Sequence, residues 1–471
     1  MKKYNVHIFI ITLIILISSV NLGYANSGPI NWRGNPSLEI LSVDENSPIV
    51  IENEDLIFDF SKDEYLEHSG YSISALVTAA YRMANNTLEN QAVQMAFPII
   101  SSIEDFNPAN VDIKIDGKSI PFDVYIGDEI RVLKGREDKE EENGLDFGEI
   151  IKSINKEVYS PQHYDLKEMG ILYTYDVKKT SEADVYFVID YTYDSNKTRI
   201  MDKGFNMYNV NDGETRCSSL INDNEILEIY VMGGDIDFEI SGFTDGQFSN
   251  KTDDYTCEIK REIISVEDYL EGAVQEYKDS ARYSDYLTDN QLYSLIYREL
   301  DDAIGHNVVS MPIDGFYYSD RIDRIILLVY EVNFPKESKR DVSVSYISRG
   351  AMSRRETYEP LYRFQYLLNP AKRWADFKNF NIEIRPPKSN PYVVDSSISL
   401  GRDGDGNYAV GLEFLPDEDL SFTLYYKEKV TFYDKLMRKA ADYSFMIPVM
   451  AVITSSLIMY IVRKFRRKAE Y

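Results

Sequence analysis

From residue 73 to residue 83 the chain alternates. Ile73, Ala75, Val77, Ala79, Tyr81 and Met83 interleave with Ser74, Leu76, Thr78, Ala80 and Arg82. Period-two spacing sends the two sets to opposite faces of a strand, so it predicts a β-strand with one buried face. Asn85-Asn86-Thr87 supplies a turn and Ala92 to Phe97 a return, ended by Pro98, which has no N–H to give a ladder. A second hairpin follows, with residues 113–115 and 120–124 on either side of Asp116-Gly117. Residues 171–264 read as strands again, most clearly at 184–193, 226–232 and 236–240. Further strands fall at 325–334, 342–347, 408–414 and 420–426. The first two of these echo the early strand–turn–strand, which suggests a duplication.

The period changes twice. Phe147, Ile150, Ile151 and Ile154 recur at helical spacing, predicting a short helix near 146–158. Over 266–304, Tyr269, Leu270, Val274 and Tyr277 form one stripe and Leu292, Leu295, Ile296 and Leu300 another. Ser265 with Asp268, and Thr288 with Gln291, have capping-box spacing, and Gly305 is a natural stop. The pattern therefore predicts a mainly β protein with two β-sandwich-like domains in series. They are 26–264, carrying the short helical insertion, and 307–430, with a helical pair at 265–306 between or upon them.

The ends change the picture. Lys2 and Lys3 precede an apolar run, and Gly23-Tyr24-Ala25 places small residues where a signal peptidase reads, so 1–25 is expected to be a signal peptide. Residues 445–462 contain no charge over roughly 27 Å of potential helix, enough to cross a bilayer. Five cations lie between Arg463 and Lys468. The expected topology is a single-pass membrane protein with an extracellular N-terminal part, a juxtamembrane segment 431–444 and a basic cytoplasmic tail 463–471. The formal net charge is −27, and the cations at both ends leave the part between them more acidic still. Such a field repels nucleic acid and an anionic membrane surface alike.

The run VTAAYRMANNTLENQAVQMAFPI, residues 77–99, resembles the strand–turn–strand of vault/inter-alpha-trypsin-type β-sandwiches. YLLNPAKRWADFKNFNIEIRPP, residues 366–387, is similar to a segment in an uncharacterised family of membrane-anchored surface proteins from low-GC Gram-positive bacteria. The resemblance spans most of the expected ectodomain and implies a sandwich fold and an anchor. It brings no activity and no functional residues.

Candidate chemistry is sparse. Cys217 and Cys257 lie in the exported part, where a disulfide is allowed; closing that loop would stabilise by roughly 4 kcal/mol. Asp403, Asp405 and Asn407 place oxygens at positions one, three and five of a possible calcium loop. Tyr408 and Phe414, however, stand where an EF-hand needs Gly and Glu. The competing reading is a hairpin tip with Asp-Gly turn chemistry. Past the signal, His68, His163 and His306 are far apart and match no zinc or protease spacing. With 78 acidic residues, paired carboxylates cannot be selected by spacing. A non-enzymatic binding or structural surface module, meeting an extracellular protein or cell-wall ligand, is the leading expectation. A surface hydrolase acting through two carboxylates is the alternative, and no cofactor beyond the possible calcium is expected.

Overall fold

A computed structural model describes residues 31–32, 34–43, 47–61, 72–130, 151, 154, 156–195, 197–211, 214–279, 285–306, 311–312, 321–368, 371, 374–442 and 460. The expected signal peptide, the apolar stretch 445–462 except Tyr460, the basic tail and most of the helix expected at 146–158 lie outside them. Residues 156–158 of that expected helix are not helical. Among the described residues no helix is long and apolar enough to cross a membrane.

The chain divides into two compact units, but not in series. Unit 1 comprises 1–99, 109–123 and 328–471, and unit 2 comprises 100–108 and 124–327. This corrects the expected boundaries at 264 and 307. The strand Ser74–Asn85 pairs along its whole length with Ser338–Arg349 on one side and with Ile49–Asp59 on the other. The late strands therefore complete the sheet that the early ones begin, and no second copy of the early motif is made. Period-two patterning identifies a strand and its buried face, but not its partner.

In unit 1 one sheet runs in the order Gly401–Arg402, Tyr408–Leu412, Phe380–Arg385, Ile49–Asp59, Ser74–Asn85, Ser338–Arg349, Asp112–Ile115 and Lys118–Ser119. The predicted alternation holds: Ala75, Val77, Ala79 and Met83 are 0% exposed and Tyr81 only 2%. Opposing strands include Gln91–Ser101, Leu361–Leu367 and Leu420–Tyr425. Phe58 meets the edges of Phe422, Phe364 and Tyr366, while Phe364 and Phe422 stack at 5.4 Å. Such ring pairs add to the burial of their large apolar area.

Gln91–Ser101 runs through Pro98 rather than ending there. Its neighbours on one side are two short strands, pairing Leu41 with Ala96 and Ser37 with Ile99. Residues 97 and 98 face the gap between them, where a missing N–H costs no ladder bond.

Unit 2 has three layers. Tyr255–Ser265, Met169–Lys179, Asn224–Gly233, Thr198–Lys203 and Met311–Pro312 form one sheet. Met207–Asn211, Glu214–Ile221, Val185–Thr192, Phe238–Phe243 and Lys251–Thr252 form the other. Tyr175, Val177, Leu227, Ile229 and Val231 pack against Phe187, Ile189 and Cys217 between them. The outer face of the first sheet is covered by two helices, Val266–Asp279 and Asp289–Gly305, with Tyr230 stacked on Tyr269 at 4.5 Å. Thr288 and Gln291 make the predicted capping box, and Ser265 Oγ accepts from Asp268 N. The helical pair is thus a layer on one sandwich.

The expected Cys217–Cys257 bond is corrected too, since both thiols are free. Cys217 sits in one sheet, opposite Ile189, and Cys257 in the other, opposite Val177. Burial pushes the Cys217 thiol well above its usual range and Cys257 to about 11, so both are protonated near neutral pH.

Candidate functional site

Two groups of acids in unit 1 start from neighbouring residues of one strand. Glu54 and Asp55 are adjacent on Ile49–Asp59, so the pleat turns them to opposite faces. Glu54 is 0% exposed, while Asp55 is exposed.

On the outer face, Asp55 lies beside Asn381 and Ile57 beside Glu383 in the parallel pair with Phe380–Arg385. The next strand, Tyr408–Leu412, places Gly411 opposite Asn381 and Ala409 opposite Glu383. Large polar side chains thus stand next to almost none, and a trough opens alongside them. It is an open depression of about 630 Å³, lined by Asp55, Ile57, Asn381, Glu383, Ala409 and Gly411. That volume is within the usual range for ligand sites. Gly411 leaves room for the Asn381 side chain, since a Cβ there would lie 3.0 Å from Asn381 Oδ1.

The trough's polar wall is held from within. Asn381 Nδ2 donates to Asp55 Oδ1 at 2.8 Å and to Asn53 Oδ1 at 3.0 Å. Arg385 grips Glu383 through two bonds, at 2.7 and 3.0 Å, and reaches Asp59 at 3.5 Å. The Glu383 pairing raises the Arg385 guanidinium's affinity for its proton. Partial burial opposes ionisation of Asp59, but bonds from Ser61 and Arg385 outweigh it and leave that carboxyl below its usual value. With acceptors ordered in advance, little conformational freedom is lost on binding.

On the inner face, Glu54 meets Glu39, which is also 0% exposed. The Tyr81 hydroxyl donates a short bond to Glu39 Oε1, which also accepts from Ile40 N at 2.9 Å. Among the described residues no donor meets either oxygen of Glu54, so the hydrogen that it needs is its own. Burial first, then the neighbouring Glu39 charge, raises Glu54 well above the ordinary carboxyl range; burial raises Glu39 despite its donors. The pair titrates as a unit and holds a proton between its members.

The sequence-derived candidates lie elsewhere. Asp403, Asp405 and Asn407 form the tip of the hairpin joining Gly401–Arg402 to Tyr408–Leu412. Asp403 Oδ1 accepts from the backbone N–H of Asp405 and Asn407, both at 2.9 Å, and Asn407 Nδ2 donates to Asp403 Oδ2 at 3.3 Å. The first acid of the triplet is therefore the turn's own acceptor. Among the described residues no group of three or more His, Cys, Asp or Glu could hold a metal ion.

His163 Nδ1 lies 3.3 Å from Asp301, whose carboxylate also accepts from the backbone of Gln162 and His163 and from Tyr159 Oη. That cluster fastens a helix to the segment before the first sheet of unit 2. His306 is the helix C-cap, and His68 lies outside the described residues. None of the trough residues was singled out in the sequence. Its one legible signal is small residues at alternate positions, Ala409 and Gly411, in a strand otherwise built of larger ones.

No family model matches the chain, and no curated protein matches it. Among solved structures, it is similar to a "putative nutrient binding protein" from Legionella pneumophila at 10% identity and a TM-score of 0.33. The match covers 84% of this chain and 73% of that one. A likeness this loose assigns neither fold nor function.

Proposed function

We propose that this chain is an exported, membrane-tethered binding module whose outer trough in unit 1 takes an extended ligand rich in hydrogen-bond donors, the chemistry of a wall saccharide. The observation that carries the reading is the trough itself, with Asp55, Asn381 and Glu383 held as a row of acceptors beside Ala409 and Gly411. Hydroxyls can each donate to such a row, whereas an anionic polymer meets two carboxylates and a strongly acidic chain. Tethering is supported by the uncharged stretch 445–462 and the cations behind it.

The hydrolase alternative loses its best candidate. A catalytic acid needs a raised pKa within reach of substrate. The pair with that property, Glu39 and Glu54, is enclosed at 0% exposure.

The test is an array of neutral polysaccharides, cationic peptides and anionic wall polymers, probed with the full chain in detergent and with Ala409→Trp. Binding to neutral polysaccharides that is lost in the variant supports the reading. Binding to anionic polymers alone, or to none of the three classes, overturns it.

A further inference from the structure

The longest stretch of uncovered apolar side chains in unit 1 lies on its last described helix, Phe432–Asp442. Phe432 is 81% exposed, Tyr433 62%, Leu436 47% and Met437 41%. Single exposed apolar residues are ordinary, but four on one short helix are not. At about 100° per residue they share one arc with Lys439 at its edge, while Asp434, Lys435 and Arg438 lie on the other side.

The opposite side is fixed to the unit. Asp434, 5% exposed, accepts from Thr431 N at 2.9 Å, Thr431 Oγ1 at 2.6 Å and Lys427 Nζ at 2.7 Å, which caps the helix and ties it to the chain just after Leu420–Tyr425. Lys435 pairs with Glu356 at 3.0 Å. The helix therefore presents its apolar arc outward in a set direction. Three residues after it ends, the uncharged stretch 445–462 begins.

We infer that this helix docks on a phospholipid surface, with Phe432, Tyr433, Leu436 and Met437 among the acyl-chain boundary and Lys439 at the headgroups. The inference rests on the tethering proposed above. A tether that starts three residues away holds the helix at the bilayer, where an amphipathic helix gains from burial of its apolar arc. A soluble partner would have to compete with a surface already in place.

The test places a tryptophan in the arc, Leu436→Trp, in the full chain reconstituted into phosphatidylglycerol–phosphatidylethanolamine vesicles containing dibrominated phosphatidylcholine. Retention of the chain after an alkaline wash reads the tether, and quenching beyond that of the parent chain reads the helix. A boundary-depth tryptophan is expected to be quenched by the brominated chains, over and above the parent chain. Retention without added quenching overturns the docking and leaves the tether standing. In that case, protection of the same tryptophan from acrylamide would show a protein, or a second copy of this chain, on the arc instead. Loss of retention overturns the tether; the variant added to preformed vesicles then decides the helix alone, and no quenching there overturns it.

Discussion

Glu54 and Asp55 are consecutive, chemically alike and on one strand, yet they serve opposite ends. Asp55 faces solvent and accepts a bond from Asn381 beside a trough; Glu54 faces a core where only a proton can neutralise it. The strand's period-two geometry assigns these roles, because each residue inherits the environment of its face. An acidic composition is therefore no guide to acidic function. The inner acids govern stability and its dependence on pH, while the outer ones are available to a ligand.

The largest expected difference is in stability. Glu39→Ala strips the acceptor from Tyr81 and Ile40 in a closed core and should cost about 3–5 kcal/mol in urea unfolding. Asp55→Ala, on the outer face, should cost no more than about 0.5 kcal/mol. Equal losses would break the comparison.

A finer distinction lies in pH. The folded-state affinities of Glu39 and Glu54 for protons are raised, so their contribution is fully present below the unfolded value of about 4.3 and is lost as pH rises through the folded values. Glu54→Gln keeps the shape and a donor without the titration. It should flatten the decline of stability above that value by up to about 1.4 kcal/mol per pH unit, one proton's worth. An unchanged slope would mean that the inner pair is not the proton holder.

Two smaller effects check the positions outside both faces. Asp403→Ala should cost about 1 kcal/mol by releasing the turn amides, and the loss should be the same with millimolar calcium or with chelator. A stabilisation by calcium that vanishes in the variant would restore the metal reading. Under native conditions near neutral pH, Cys257 should alkylate slowly and Cys217 not at all, with both reacting once the chain is unfolded without reductant. Unfolded chain that resists alkylation until reduced would restore the disulfide.

Much of the local structure was legible in the sequence. The alternation at 73–83 gave a strand with its buried face, and Thr288 with Gln291 marked a helix start. What escaped was everything set by long-range pairing. Nothing in Val342 or Val344 announces Tyr81 and Ala79 as partners some 260 residues earlier, so an interrupted unit read as two serial domains. The trough escaped for the same reason: Asp55, Asn381 and Gly411 become one row only when three distant strands come into register. The cysteines show the limit of compartment reasoning, since an oxidising location permits a bond while the placement of the two side chains decides whether it forms.

The central claim is that the outer face binds and the inner face does not. Its most direct test is a solution titration of the neutral polysaccharide selected by the array against the parent chain, Ala409→Trp and Glu54→Gln. The account predicts at least a tenfold loss of affinity, about 1.4 kcal/mol, for Ala409→Trp and no change for Glu54→Gln. Unchanged binding by the tryptophan variant, or a loss confined to Glu54→Gln, would contradict it.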